Sequence, residues 1–206
     1  MPVLIFIDQS EGQIKKASFE AMSYGSAVAQ QLGTTAAGLV LGSVKDDLSA
    51  LGKYGIQKVF HANNAALDHF DAKAFTKVVA DAVSTSGSDI VIFSHNVDGK
   101  AVAPRLSARL KAGLVAGAIA LPETSNGFVV KKSVFSGKAF VNLTIKSAIK
   151  IISLNPNSYQ VKTGDGAAEV VQITANVDAP KTKVVSVNKV TGEVPLSEAE
   201  VVVSGG

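Results

Sequence analysis

The amino-acid sequence predicts an α/β fold: a mostly parallel sheet flanked by helices, with antiparallel hairpins added to it. Three observations carry this. Over roughly the first hundred residues, short apolar runs alternate with stretches of helical periodicity, the pattern of successive βαβ units. Runs such as Val3-Leu4-Ile5-Phe6-Ile7 contain no polar residue, as expected of strands buried on both faces. After residue 112 the pattern changes to closely spaced strands joined at Ser136-Gly137.

The elements follow in order. Val3 to Ile7 is a strand ending at Asp8. A helix then carries Ala17, Ala21, Tyr24, Val28 and Leu32 on one stripe and stops at Gly33. Ala36 to Leu41 is the second buried strand. Val44, Leu48 and Leu51 mark a short helix closed near Gly52 or Gly55, and Lys58 to His61 is the third strand. Asp71 caps a helix whose inner face is Phe75, Val78, Val79, Ala82 and Val83. Ile90 to Phe93 is the fourth strand. A helix over Lys100 to Leu110 follows, with Pro104 in its first turn. Gly113 to Leu121, Phe128 to Phe135 and Ala139 to Ile145 read as strands. Ala148 to Leu154 reads as another, turned at Lys146-Ser147, so that the whole block forms antiparallel hairpins. Asn155-Pro156-Asn157 and Gly164-Asp165-Gly166 are loops. Glu169 to Ile173 and Lys183 to Asn188 are late strands, with a turn near Asp178-Ala179-Pro180 between them.

The chain has 206 residues, 47% apolar and 18% charged, enough to bury a sizeable core. No apolar run reaches the ~18 residues of a membrane span, and the opening residues lack a basic leader and cleavage site; both features point to a cytoplasmic protein without membrane insertion. The absence of cysteine excludes disulfides, thiolate catalysis and iron–sulfur ligation. His61, His69 and His95 have no metal-ligand spacing. The net charge of +3 is unevenly spread: residues 99–164 carry ten bases against one acid, Glu123. Such a segment fits an acidic partner, an anionic ligand or nucleic acid, or simply lysines solvating exposed strand faces. With 6% aromatic residues and no binding module, nucleic acid is the weakest of these.

No G-x-S-x-G, P-loop or G-x-G-x-x-G pattern is present; the first βα turn reads Asp8-Gln9-Ser10-Glu11-Gly12. Ser94-His95 lies at the C-terminal end of the fourth strand, where open parallel sheets bind ligands. It reads as an ordinary polar strand end, the rival reading being an enzyme that uses Ser94 or His95. Next comes Asn96-Val97-Asp98-Gly99-Lys100, opening a helix. Its amides, helped by Lys100 and Arg105, can hold an anion or face a partner. The plainer reading is capping by Asp98 with solvated arginines.

The stretch from Ser94 to Ala118, with Ala103-Pro104-Arg105-Leu106-Ser107-Ala108-Arg109-Leu110-Lys111-Ala112-Gly113-Leu114 inside it, resembles the signature stretch of electron-transfer flavoprotein alpha subunits. Three further places agree: the opening Val3-Leu4-Ile5-Phe6-Ile7-Asp8, the turn Phe135-Ser136-Gly137-Lys138-Ala139, and the end from Leu196-Ser197 through Val201-Val202-Val203-Ser204-Gly205-Gly206. The last is the most specific, because the family usually continues Ser-Gly-Gly-Arg-Gly.

The resemblance implies an adenine-nucleotide alpha-hydrolase-like fold over residues 1–190. Residues 191–206 would be a linker and the first strand of a truncated FAD-binding domain, with Ser204, Gly205 and Gly206 at its edge. It further implies pairing with a beta subunit, FAD held mainly by the alpha subunit's second domain rather than by this stretch, and electron transfer from dehydrogenases to a quinone oxidoreductase. Under it, the chain is an electron-carrier component without catalytic residues. Asp98, Lys100 and Arg105 are partner-facing or anion-binding residues, and no metal is expected. The alternative is a free-standing adenine-nucleotide-binding domain of the stress-protein type, although a glycine-rich phosphate loop after the fourth strand is missing.

Overall fold

The computed structural model describes residues 2–178, 184–186, 199 and 201–205. Strands β1 (Val3–Ile7), β4 (Ala36–Leu41), β5 (Lys58–Ala62) and β6 (Ile90–Ser94) are the four strands expected in the first hundred residues. β2 (Gln9–Ser10) and β3 (Gln13–Ile14) form a small antiparallel ribbon in the first βα loop. Helices α1 (Lys16–Gln31) and α2 (Ala72–Ser86) fall where the periodicity places them, and Asp71 caps α2 by accepting from the Ala74 N–H at 2.7 Å. Leu48–Tyr54 winds as a 3-10 helix closed by Gly55.

The remaining elements are α3 (Val97–Leu110), β7 (Gly113–Ala118), β8 (Val129–Val134), β9 (Ala139–Thr144), β10 (Lys150–Leu154) and β11 (Glu169–Gln172). One nine-stranded sheet has the order β11-β5-β4-β1-β6-β10-β7-β8-β9. It is parallel from β11 to β7, and β8 and β9 add an antiparallel hairpin at one edge.

Two layers cover the sheet. α1 and the Leu48–Tyr54 turn pack on one face over Val3, Ile5, Ile7, Ile92 and Ile152. α2 and α3 pack on the other over Leu4, Phe6, Leu39, Phe93 and Ile151. α1 approaches closely because Gly25 lies against Ile5, where a Cβ would collide with the isoleucine side chain.

Three expectations are corrected. Ala148 to Leu154 is not part of an antiparallel block. β10 runs parallel and inserts between β6 and β7, with Ile151, Ile152, Ser153 and Leu154 fully buried. α3 starts three residues before Lys100, because Asn96 caps it through the Gly99 N–H at 2.9 Å and Asp98 does not. Pro104 is therefore inside the helix. The bond that its missing N–H would make to the Lys100 carbonyl is lost on the exposed face of the helix. The strand expected over Lys183 to Asn188 has no strand conformation at residues 184–186, and its other residues lie outside the described ones, as does the turn at Ala179-Pro180.

Candidate functional site

The chain runs from β1 outward to β4 and β5, then returns to place β6 on the other side of β1. The C-terminal ends of β1 and β6 therefore form the topological switch point, the usual ligand crevice of an open parallel sheet. Here the chain's own side chains occupy its floor. Asp8, first residue past β1, is 3% exposed, and its Oδ2 accepts from Asn96 Nδ2 at 2.8 Å. The Asp8 N–H donates to Ser18 Oγ at 2.9 Å, and that hydroxyl donates back to the Asp8 carbonyl at 3.2 Å. Burial pushes the Asp8 carboxyl up from 3.8 to about 6, against the Asn96 hydrogen bond and the Lys15 charge and with a small push from Asp98.

Asn96 thus bonds two ways at once, holding Asp8 and capping α3. Asp98, in the first turn of α3, takes Lys15 Nζ at 2.6 Å. A cleft of about 630 Å³ opens beside this pair, under the loops after β1, β4 and β5. Gln9, Glu11, Lys15, Lys45, Asp68, Phe70 and Asp98 are on its wall. Gln9 and Asp68 are already engaged: Gln9 bonds Gly12 and Leu41, and Asp68 bonds the Ser43 N–H and hydroxyl. The helix end that could cradle a phosphate carries a carboxylate, and its cap is internal. The Asp98 carboxylate works against a phosphate at this helix end, while Lys45 on the same wall carries the opposite charge.

Ser94 and His95, at the end of β6, bond to different elements. Ser94 Oγ donates to the Ala17 carbonyl at 3.0 Å on the α1 side. His95, the next residue along, turns away to Ser153, with its Nδ1 2.8 Å from the Ser153 Oγ. Burial, with Lys100 and Lys132 nearby, holds the His95 pKa below 6.5. His61 is buried, with Nε2 2.9 Å from the Gly42 carbonyl and Nδ1 facing the Gln172 amide. Among the described residues, no group of three or more His, Cys, Asp or Glu is placed to hold a metal ion, and no helix is long and apolar enough to cross a membrane.

Of the residues singled out from sequence, Asp98 is half-buried at the cleft, whereas Lys100 and Arg105 are exposed on α3. Ser204 and Gly205 are exposed, and Gly206 lies outside the described residues. One set was missed. Glu20, buried on α1, accepts from three successive backbone N–H groups: Asn157 at 3.0 Å, Ser158 at 2.6 Å and Tyr159 at 2.7 Å. Ser23 adds a bond from the Lys162 N–H at 3.1 Å. These bonds fasten the segment between β10 and β11 across α1. The signal was a carboxylate beside Ala17, Ala21 and Tyr24 on the apolar stripe.

The electron transfer flavoprotein domain model matches residues 3–180. Protein FixB of Clostridium saccharobutylicum is 29% identical to the chain over 99% of its length, and the electron transfer flavoprotein subunit alpha of Bacillus subtilis is 28% identical over the same share. The chain spans 63% of the length of each. The acryloyl-CoA reductase electron transfer subunit beta of Anaerotignum propionicum is 30% identical over 62% of this chain and 35% of its own length. The family model covers residues 3–180, most of the chain: the chain belongs to the electron transfer flavoprotein domain family.

Proposed function

We propose that this chain is the N-terminal domain of an electron-transfer flavoprotein alpha subunit, acting as a docking scaffold. In this reading it binds the beta subunit and forms one wall beside FAD. The flavin itself is held by the part of the alpha subunit that follows, with Ser204, Gly205 and Gly206 at the junction. The assembled heterodimer carries electrons from dehydrogenases to a quinone oxidoreductase, in the cytoplasm.

The observation that carries this reading is the internally bonded helix start at the switch point. Asn96 occupies the α3 cap and Asp98 sits in the first turn of that helix, so the fold's usual ligand position is spent on internal bonds. A domain built this way supports a neighbour rather than holding a nucleotide. The stress-protein alternative requires the opposite.

Size-exclusion chromatography of the chain with its cognate beta subunit tests the scaffold reading, and a single co-eluting complex is expected. Separate elution of the chain, where the longer alpha subunit does form a complex, would refute docking by this domain. Calorimetry with AMP and ATP tests the alternative, and tight binding of either would promote it over ours.

A further inference from the structure

The link between β7 and β8 is fastened at its feet and free at its tip. Glu123 and Val129 exchange two backbone bonds at 2.9 Å, and the Phe128 carbonyl accepts from the Ile145 N–H at 2.8 Å. From α1, Gln31 Nε2 donates to the Pro122 carbonyl at 2.9 Å and to Thr124 Oγ1 at 3.1 Å. The Ser125 hydroxyl turns back to Glu123 Oε1 at 3.0 Å. Between these ties, Asn126 and Gly127 are exposed. Among the described residues, neither the Asn126 side chain nor the Gly127 N–H makes a hydrogen bond.

An asparagine in such a place carries its own reaction. Its carboxamide carbon is an electrophile, and the next backbone nitrogen attacks it once deprotonated. The side chain must be free to turn, the following N–H must be unbonded, and the following residue must leave room for a ring. Gly127 leaves that room. It has no Cβ and φ +100°, and even a Cβ there would meet only Thr144 Cγ2, at 3.6 Å.

Elsewhere these conditions are not met together. Asn96 is locked at both ends, by Asp8 and by the Gly99 N–H. Asn155 precedes Pro156, which has no N–H to give up. Asn157 precedes Ser158, whose N–H is bound to Glu20 at 2.6 Å. Asn142 lies inside β9 and precedes the bulky Leu143. Of all the asparagines in the sequence, Asn126 alone precedes a glycine.

We propose that Asn126 is a site of spontaneous modification, at which water converts the carboxamide to a carboxylate through a succinimide closed with Gly127. The Gly127 nitrogen bonds to Asn126 Cγ, the carboxamide C–N bond breaks, and ammonia leaves with the proton that Gly127 gave up. Water then adds to one of the two ring carbonyls, its hydroxyl going to carbon and its proton to the ring nitrogen as that C–N bond breaks. Opening at Cγ gives aspartate. Opening at the backbone carbonyl gives isoaspartate, in which the main chain runs through the side-chain carbon. Water is the only co-reactant, and nothing is oxidised or reduced.

Either product lowers the formal net charge of +3 by one and puts an acid into residues 124–164, which have none. Isoaspartate also lengthens the main chain between Glu123 and Val129, whose paired bonds close the turn.

The test incubates the folded 206-residue chain in warm, mildly alkaline buffer. Isoelectric focusing and peptide mapping follow it, with labelling by a methyltransferase specific for isoaspartyl carboxyls. A band one charge more acidic is expected to grow with time, and faster as pH rises. Both products are expected at position 126, and Asn126→Ser is expected to lose the band. Serine keeps a small polar residue at a tip that bonds nothing, and circular dichroism checks that the variant folds. A sample unfolded in urea separates the fold from the sequence.

Conversion of residue 126 in urea but not in the folded chain would show that the fold protects it, and overturns the proposal. An acidic band that survives Asn126→Ser, or that maps first to another asparagine, overturns it as well. So does the absence of the band from both samples.

Discussion

Asp8 is a carboxyl group buried at the end of the central strand, and replacing it with asparagine isolates what its charge does to the fold. Burial raises its pKa from 3.8 to about 6, outweighing the Asn96 hydrogen bond and Lys15. A group with a folded pKa above its unfolded one binds more protons in the native state. Its contribution is fully favourable below about pH 4 and is lost as pH rises through 6. Each unit corresponds to 1.36 kcal/mol, so above about pH 7 the ionised side chain costs the native state about 3 kcal/mol. The asparagine side chain would keep the volume, and its carbonyl oxygen can still accept from Asn96 Nδ2. Asp8→Asn should therefore stabilise the domain by up to about 3 kcal/mol above about pH 7, shrinking to about 0.5 kcal/mol near pH 4. With a urea slope of about 2–3 kcal/mol/M, the midpoint should move up by roughly 1 M at the higher pH and only slightly at the lower. Paired urea unfolding curves read this directly. An equal midpoint difference at both pH values would show that burial does not set the Asp8 titration, and the reasoning would be wrong.

Glu20→Ala removes the acceptor of three N–H bonds; it should lower stability by about 2–4 kcal/mol, and amide exchange at Asn157, Ser158 and Tyr159 should accelerate. The ring protons of His95 should titrate below 6.5 in NMR spectra, and Lys100→Met should move the midpoint upward, since Lys100 is one of the charges holding it down. Association with the beta subunit should slow steeply as salt rises in stopped-flow measurements, because residues 99–164 carry ten bases and one acid; salt-independent rates would count against electrostatic steering.

Local patterns in the sequence were legible where burial is local. β1, β4 and β6 are apolar runs because both of their faces are covered, and that leaves a trace in every residue. The turn at Ser136-Gly137 and the Asp71 cap are likewise set by adjacent residues. β10 was found as a strand but misplaced. A short, mostly apolar segment such as Ile149-Lys150-Ile151-Ile152 carries no mark of its partner, and proximity to the hairpin favoured an antiparallel reading. The α3 start was ambiguous because Asn96 and Asp98 are both able caps, and only the bond from Asn96 to Asp8, 88 residues earlier in the chain, decides between them. The Glu20 clamp joins residues at least 137 apart, beyond any window in which periodicity can be read.

The central position of β10 has a consequence for biosynthesis. β6 and β7 never touch as strands; β10 is the rung between them, and it is translated after both. A nascent chain that has reached only residue 149 holds β5-β4-β1-β6 as one sheet fragment and β7-β8-β9 as another, each with a raw inner edge. Neither fragment can be completed until the last residues of β10 clear the ribosome. The seam of this domain closes late in synthesis and in its middle, and that interval is when the chain most needs protection from pairing with a neighbour.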